Sequence, residues 1–198
     1  MAKLYFRYGA MGSAKTLNLL AVAHNYTQQK KSILMVKPII DDRFGKNNIT
    51  SRAGLEKEAD ILVDNDTDLH VCDFTGIDCI LVDEAQFLSA EHVDQLRAIT
   101  VEKNIPVICY GLRADFQSNL FSGSKRLMEL ADSIEELKTT CFFCNRKGTM
   151  NLRHVNGKAA VEGPSIAIGA DDMYYPACYK CYSEQIAEAK ADQEKVLA

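Results

Sequence analysis

The eight residues Gly9-Ala10-Met11-Gly12-Ser13-Ala14-Lys15-Thr16 constrain this chain more than any other stretch. They follow an apolar run, Leu4-Tyr5-Phe6-Arg7-Tyr8, and precede a segment in which Leu17, Leu20, Ala21 and His24 recur at helical spacing. The order is strand, small-residue loop, helix. In such a loop consecutive backbone N–H groups turn inward, and at a helix N-terminus those donors and the helix dipole favour a bound phosphate. Lys15 adds a mobile positive charge and Thr16 a hydroxyl for Mg²⁺, which is the Walker A layout. An ordinary strand-to-helix turn is the competing reading, but it gives no reason for a Lys-Thr pair at the helix entry. The layout places Gly before the Lys, and here that residue is Ala14. A methyl group is expected there only if the backbone is right-handed and no phosphate oxygen lies against its Cβ.

Strands alternating with helices continue beyond this loop. Ser32-Ile33-Leu34-Met35-Val36-Lys37 reads as a second buried strand, ended by Pro38. Residues 39–57 turn polar with no sustained period and read as one long loop. Ile61-Leu62-Val63 and Leu69-His70-Val71 read as short β pieces around the turn-forming Asp64-Asn65-Asp66; a minor ladder is one arrangement open to them, and the sequence does not fix their pairing. Ser89 is a suitable N-cap for a helix carrying Val93, Leu96 and Thr100, and residues 106–110 supply another strand. A helix over 123–130 and a final edge over 133–137 complete a parallel, doubly wound α/β sheet.

Cys79-Ile80-Leu81-Val82 repeats the buried-strand signature and runs into Asp83-Glu84. Ligands of open α/β sheets gather at the carboxyl ends of strands, so Asp83 falls where a Walker B acid holds Mg²⁺. Glu84, if strand geometry continues, aims the opposite way and is free to take a proton. Asp83-Glu84-Ala85-Gln86 also spells a helicase-like box. A helicase of that kind needs two such cores and a basic strand-tracking surface, which 198 residues and a net charge of −4 do not provide. The same charge argues against any nucleic-acid polymer as partner.

Seven cysteines are present. Cys72, Cys79 and Cys109 lie in or beside apolar runs and read as core residues. Cys141-x-x-Cys144 and Cys178-x-x-Cys181 form two knuckles, each able to give two thiolates, and a closed four-sulfur site implies a structural Zn²⁺. A redox dithiol is the alternative. Between the knuckles runs an excursion of 33 residues with a hairpin signal at Asn156-Gly157, then Gly163-Pro164 and Ser165-Ile166-Ala167-Ile168-Gly169. The domains expected are a P-loop α/β domain over 1–138, a small zinc-ribbon-like domain carrying the excursion over 139–184, and a C-terminal helix or tail over 185–198. With 47% hydrophobic and 25% charged residues the composition is that of an ordinary globular protein. No window reaches the roughly 18 consecutive apolar residues of a membrane span. The first residues read as a strand and not as a signal peptide, so a cytoplasmic protein with no membrane partner is expected.

In this order the motifs resemble a specific family. Gly9 to Thr16, Lys37-Pro38-Ile39-Ile40-Asp41-Asp42-Arg43-Phe44, Asp83-Glu84-Ala85-Gln86-Phe87, Tyr110-Gly111-Leu112-Arg113-Ala114-Asp115-Phe116, the cysteine pairs and Ile168-Gly169-Ala170-Asp171-Asp172-Met173-Tyr174 are similar to the zinc-containing type II thymidine kinases. The resemblance covers nearly the whole chain. It implies transfer of the ATP γ-phosphoryl group to the 5′-hydroxyl of thymidine or deoxyuridine, giving dTMP or dUMP in deoxynucleotide salvage. It also implies that Glu84 is the base and that Gly9 to Thr16 with Asp83, Glu84, Ala85 and Gln86 bind ATP. By the same resemblance Thr16, Asp41, Arg43 and Asp83 serve phosphate and Mg²⁺. Met11, Leu112 and Phe116 would line the base pocket, with Ser165, Ile166, Ala167, Ile168, Gly169 and Tyr174 on a lasso over the nucleoside. Feedback inhibition by dTTP and a homotetramer are implied as well. Residue by residue, a non-catalytic P-loop ATP-binding module with a zinc ribbon for protein interaction, or an ATPase using water, remains open. If Cys141, Cys144, Cys178 and Cys181 only anchor the two ends of the lasso, loss of one thiolate is expected to loosen the excursion and leave the phosphate loop, on the other domain, largely formed.

Overall fold

The computed structural model of the chain describes residues 1–41, 45, 47–165 and 173–197. They form two compact units. The first comprises Met1–Tyr8, Ala14–Arg113 and Phe121–Glu136; the second comprises Gly9–Ser13, Ala114–Leu120 and Leu137–Ala198.

The elements of the first unit are β1 (Leu4–Tyr8), α1 (Lys15–Gln28), β2 (Ile33–Pro38), β3 (Asn48–Thr50), β4 (Glu56–Glu58), β5 (Ile61–Val63), β6 (Cys79–Val82), α2 (Ala90–Glu102), β7 (Val107–Gly111), α3 (Ser122–Leu130) and β8 (Ser133–Glu136). Six of these strands make one all-parallel sheet in the order β5-β2-β6-β7-β1-β8. β6 and β7 sit at its centre and are buried at every residue, which is why they read as continuous apolar runs. β8 closes an edge with exposed Ser133 and Glu135, a common guard against strand addition. Leu4, Phe6, Val36, Ile80, Val82, Val107 and Cys109 share one face and pack with Val93, Leu96 and Ile99 of α2 and Leu127 of α3. The intervening positions look the other way, where the Tyr110 hydroxyl donates to Asn18 of α1 at 3.0 Å. Ser89 caps α2 as its position implied: its Oγ accepts the His92 N–H at 3.1 Å.

Two features depart from expectation. The polar stretch from residue 39 onward contains the antiparallel pair β3–β4, in which Ile49 is buried and the other residues are too polar and the strands too short to show a period. Leu69–Val71 is a 3-10 turn started by the Asp68 carboxylate, which accepts the His70 N–H at 2.9 Å. The pairing the sequence left open is settled for β5, which extends the main sheet beside β2.

The second unit holds β9 (Thr139–Thr140), β10 (Lys147–Gly148), β11 (Met150–Val155), β12 (Lys158–Ala159), β13 (Met173–Ala177) and α4 (Tyr179–Leu197). β11 pairs antiparallel with both β12 and β13. Asn156 and Gly157 both have positive φ, 50° and 77°, as the type I′ turn between β11 and β12 requires. α4 begins before the second knuckle ends and runs unbroken through residue 185. No helix among the described residues is long and apolar enough to cross a membrane.

Candidate functional site

In the first unit the phosphate end is built at the start of α1. Ala14 is its N-cap, with φ 58° and ψ 32°, in the left-handed region. The expectation of a right-handed backbone is therefore wrong, and a non-glycine side chain in that region costs about 1–2 kcal/mol. Alanine at the N-cap supplies no side-chain oxygen to the first turn. Lys15 is buried at the first helical position. Thr16 Oγ1 donates to Asp83 Oδ2 at 3.1 Å. Burial, then the neighbouring Glu84 charge, raise the Asp83 pKa to about 7, while hydrogen bonding from Thr16 and the charge of Lys15 act the other way. A buried carboxyl that is costly to ionise, bonded to a hydroxyl, fits a divalent cation such as Mg²⁺, whose charge would relieve that cost.

Glu84 follows with φ 47°, also left-handed. β6 ends at Val82, so the alternation of a strand does not govern these two carboxylates; the turn re-aims Glu84 instead. Gln86 holds the result in place. Its Nε2 donates to the Glu84 carboxylate, and its Oε1 accepts the Leu112 N–H at 2.9 Å. Gly111 is what admits this amide, since a Cβ there would lie 2.7 Å from Gln86 Oε1. Gly123 likewise lets α3 approach the Ala85–Phe87 turn, where a Cβ would meet the Ala85 carbonyl at 2.5 Å. A strained backbone surrounded by such over-determined packing is the usual setting of a functional side chain.

Lys37, only 1% exposed, was missed as a site residue although it stands in the Lys37-Pro38 motif at the end of a buried strand. Its Nζ donates to the Asn48 carbonyl at 2.8 Å and lies 3.6 Å from the Asp41 carboxylate. Asp41 is thus a buried, charge-paired group at the C-terminal end of β2. Arg43 lies outside the described residues.

In the second unit, Gly9 has no room for a side chain: a Cβ would come within 2.3 Å of Ser13 Oγ and 2.5 Å of the Leu137 carbonyl. The Met11 N–H donates to Asn151 Oδ1 at 2.8 Å, and Asn151 Nδ2 donates to the Ala114 carbonyl at 2.8 Å. Thr139 Oγ1 donates to the Gly12 carbonyl at 3.4 Å. The first half of the phosphate loop, Gly9–Ser13, therefore falls in the same unit as the four cysteines. Phe116 is buried, its carbonyl accepts the Tyr182 hydroxyl at 2.7 Å, and the Arg153 guanidinium lies 5.1 Å from its ring centre. Arg153 Nη1 also donates to the Pro164 carbonyl at 3.2 Å, and Tyr174 stands opposite Arg153 across the β11–β13 ladder. Asn151 and Arg153 were missed. Their signal was a polar residue at alternate positions of a strand whose other residues, Met150 and Leu152, are apolar. Ser165 is exposed; Ile166, Ala167, Ile168 and Gly169 lie outside the described residues. Leu112, by contrast, is in the first unit, with its backbone taken up by Gln86 and by the Ser124 hydroxyl.

Cys141, Cys144, Cys178 and Cys181 converge, with all four sulfurs within 4.8 Å of one another. Cys144 Sγ and Cys178 Sγ are 3.7 Å apart. Four Zn–S bonds of about 2.3 Å in a tetrahedron give S···S near 3.8 Å, while a disulfide needs about 2.05 Å, so the set fits zinc and not a redox pair. The Cys181 N–H points at Cys178 Sγ at 3.5 Å, the kind of backbone donor that steadies a thiolate.

The family model described as thymidine kinase matches residues 2–182. A thymidine kinase of Lactiplantibacillus plantarum is 46% identical over 184 residues, 92% of this chain and 96% of the relative. A thymidine kinase of Listeria monocytogenes serotype 4b is 47% identical over 189 residues, 92% and 97% of the two chains. One of Streptococcus pyogenes serotype M28 is 46% identical over the same shares. Among solved structures, a Pif1 helicase from Candida albicans reaches a TM-score of 0.41 at 11% identity, covering 69% of this chain and 36% of the other. A likeness of that size says nothing about activity.

Proposed function

The chain belongs to the thymidine kinase family, and from that premise we propose how its residues divide the reaction. It is an ATP-dependent thymidine kinase: the γ-phosphoryl group of ATP passes to the 5′-hydroxyl of thymidine, and by extension of deoxyuridine. Glu84 accepts the proton of the attacking hydroxyl. The observation that carries this is its geometry, a left-handed carboxylate held through Gln86 to the Leu112 N–H at the end of a central strand. Lys15 and the donors of Gly9 to Thr16 hold the phosphates. Thr16 and Asp83 would hold Mg²⁺, which supplies charge neutralisation across the β- and γ-phosphates, and Asp41 and Arg43 act beside them. Met11, Leu112, Phe116 and Tyr174 line the base site, and the backbone of 165–169 reads the thymine edge. Fixed main-chain donors and acceptors reject cytosine, whose pattern is swapped. The four cysteines hold a structural zinc. Family membership further supports inhibition by dTTP, a homotetramer and a cytoplasmic location.

Labelled ATP incubated with each nucleoside in turn tests the reading. A labelled monophosphate is expected from thymidine and deoxyuridine and none from cytidine. Phosphate release without any nucleoside, at the rate seen with thymidine, would overturn it in favour of an ATPase.

A further inference from the structure

β11 gives its two faces two different tasks. Met150 and Leu152 enter the small core with Cys141, Cys178 and Ala177. Asn151 and Arg153, the alternate residues, point away from that core, and both are buried polar groups, 5% and 8% exposed. Asn151 uses both ends of its amide. It accepts from the Met11 N–H and donates to the Ala114 carbonyl, each at 2.8 Å, so one planar group sets the separation of those two backbones. Arg153 spreads a planar guanidinium over the Phe116 ring and donates to the Pro164 carbonyl. Gly163, with φ 136°, lies close below it: a Cβ there would stand 3.2 Å from Arg153 Nη1 and 3.9 Å from Phe116 Cζ.

We propose that Asn151 and Arg153 are the positioning residues of the nucleoside site. Asn151 ties Met11 to Ala114, and Arg153 seats Phe116 and Pro164 on one guanidinium. The proposal rests on the reading that Met11 and Phe116 line that site. It gives the metal core a reason to lie under β11, because a strand fixed on one face holds the other face still. The two residues have different signatures. Arg153 seats Phe116, a residue assigned to the nucleoside, whereas Asn151 also holds a backbone N–H of the phosphate loop. Lysine at 153 keeps the charge and loses the plane that stacks and bonds at once.

The test is steady-state kinetics with thymidine and ATP varied separately, together with zinc content and the thermal midpoint with and without thymidine. Arg153→Lys is expected to raise the KM for thymidine about tenfold, the effect of one stacked, hydrogen-bonded cation, and to leave the KM for ATP within about twofold. Asn151→Ala is expected to raise both. Both variants should keep zinc, and the rise in midpoint caused by thymidine should shrink in each. In Phe116→Leu, adding Arg153→Lys should cost less than it does alone, because part of its effect passes through the ring. Wild-type KM values in both single variants overturn the proposal. So does a lower kcat with unchanged KM values and a uniformly lower midpoint, or loss of zinc with the folding transition, either of which makes the residues packing alone. If wild-type protein makes no thymidine monophosphate, the functional reading itself has failed.

Discussion

The two units reach order by different means. In the first, seventeen buried residues among those described make one apolar cluster, drawn mostly from strands and helices, and the sheet stands on burial. In the second, the corresponding cluster has five buried members, two of them cysteines that would ligate metal. A core that small contributes little burial, and four sulfurs close enough to share one cation are suited to supply the missing stability through a bound zinc. The lesson concerns the phosphate loop. Its helical half is carried by the burial-stabilised unit, while Met11 and Gly12 are bonded among residues of the unit that holds the four cysteines. ATP binding is therefore expected to feel the zinc site.

Removing the metal breaks the comparison hardest, since structural zinc contributes about 10–16 kcal/mol in small metal domains. In Cys144→Ser, hydrogen exchange should show β11 and β13 losing amide protection while β1, β6 and β7 keep theirs. Thymidine phosphorylation should vanish and ATP affinity should fall as well. Unchanged ATP affinity would restore a clean separation of the two sites, and exchange throughout the main sheet would show that the first unit is not self-supporting. Elemental analysis of the intact protein should find one zinc per chain.

Glu84→Gln addresses the chemistry of the first unit alone. A positioned base contributes about 10²–10⁴-fold, and turnover should drop by that factor with ATP still bound and zinc retained. Near-normal turnover removes Glu84 from the base role.

Asp83 makes the burial-stabilised unit sensitive to pH. Its folded pKa is raised from 3.8 to about 7, so between those values the folded state holds a proton that the unfolded state has released. The unfolding free energy of the zinc-containing, Mg²⁺-free protein should therefore fall as pH rises through that window and level off above it, by an amount on the order of 4 kcal/mol from this group. Asp83→Asn should flatten the slope, and Mg²⁺ with nucleotide should reduce it by favouring the carboxylate. A slope unchanged in Asp83→Asn assigns it to other groups.

The smallest effect sharpens the picture of the loop. Ala14→Gly relieves a left-handed side chain and should stabilise by about 1 kcal/mol, read as a higher thermal midpoint with activity kept or raised. A lower midpoint would mean that the Ala14 methyl is packed where only its backbone strain is now evident.

Much of this was legible in the chain itself. β6 and β7 announce themselves as apolar runs because strands buried on both faces have no polar positions to alternate with, and β1 and β2 are apolar enough to be read beside them. Lys15, Thr16 and Asp83 are recognisable because phosphate and metal demand those groups at those points between strand and helix. The cysteine pairs declare themselves by spacing. What tertiary structure decided was backbone conformation and partnership across long separations. Ala14 and Glu84 are left-handed because the surrounding turn over-determines them, and no local propensity foretells that for an alanine or a glutamate. Lys37 is a strut and not a surface lysine only because residues 41 and 48 return to its ammonium group. Asn151 finds its partners 140 and 37 residues away, at Met11 and Ala114. Hydrophobic periodicity reports whether a residue is buried, but a polar side chain's partner is set by where distant backbone groups are brought, which is a property of the assembled fold.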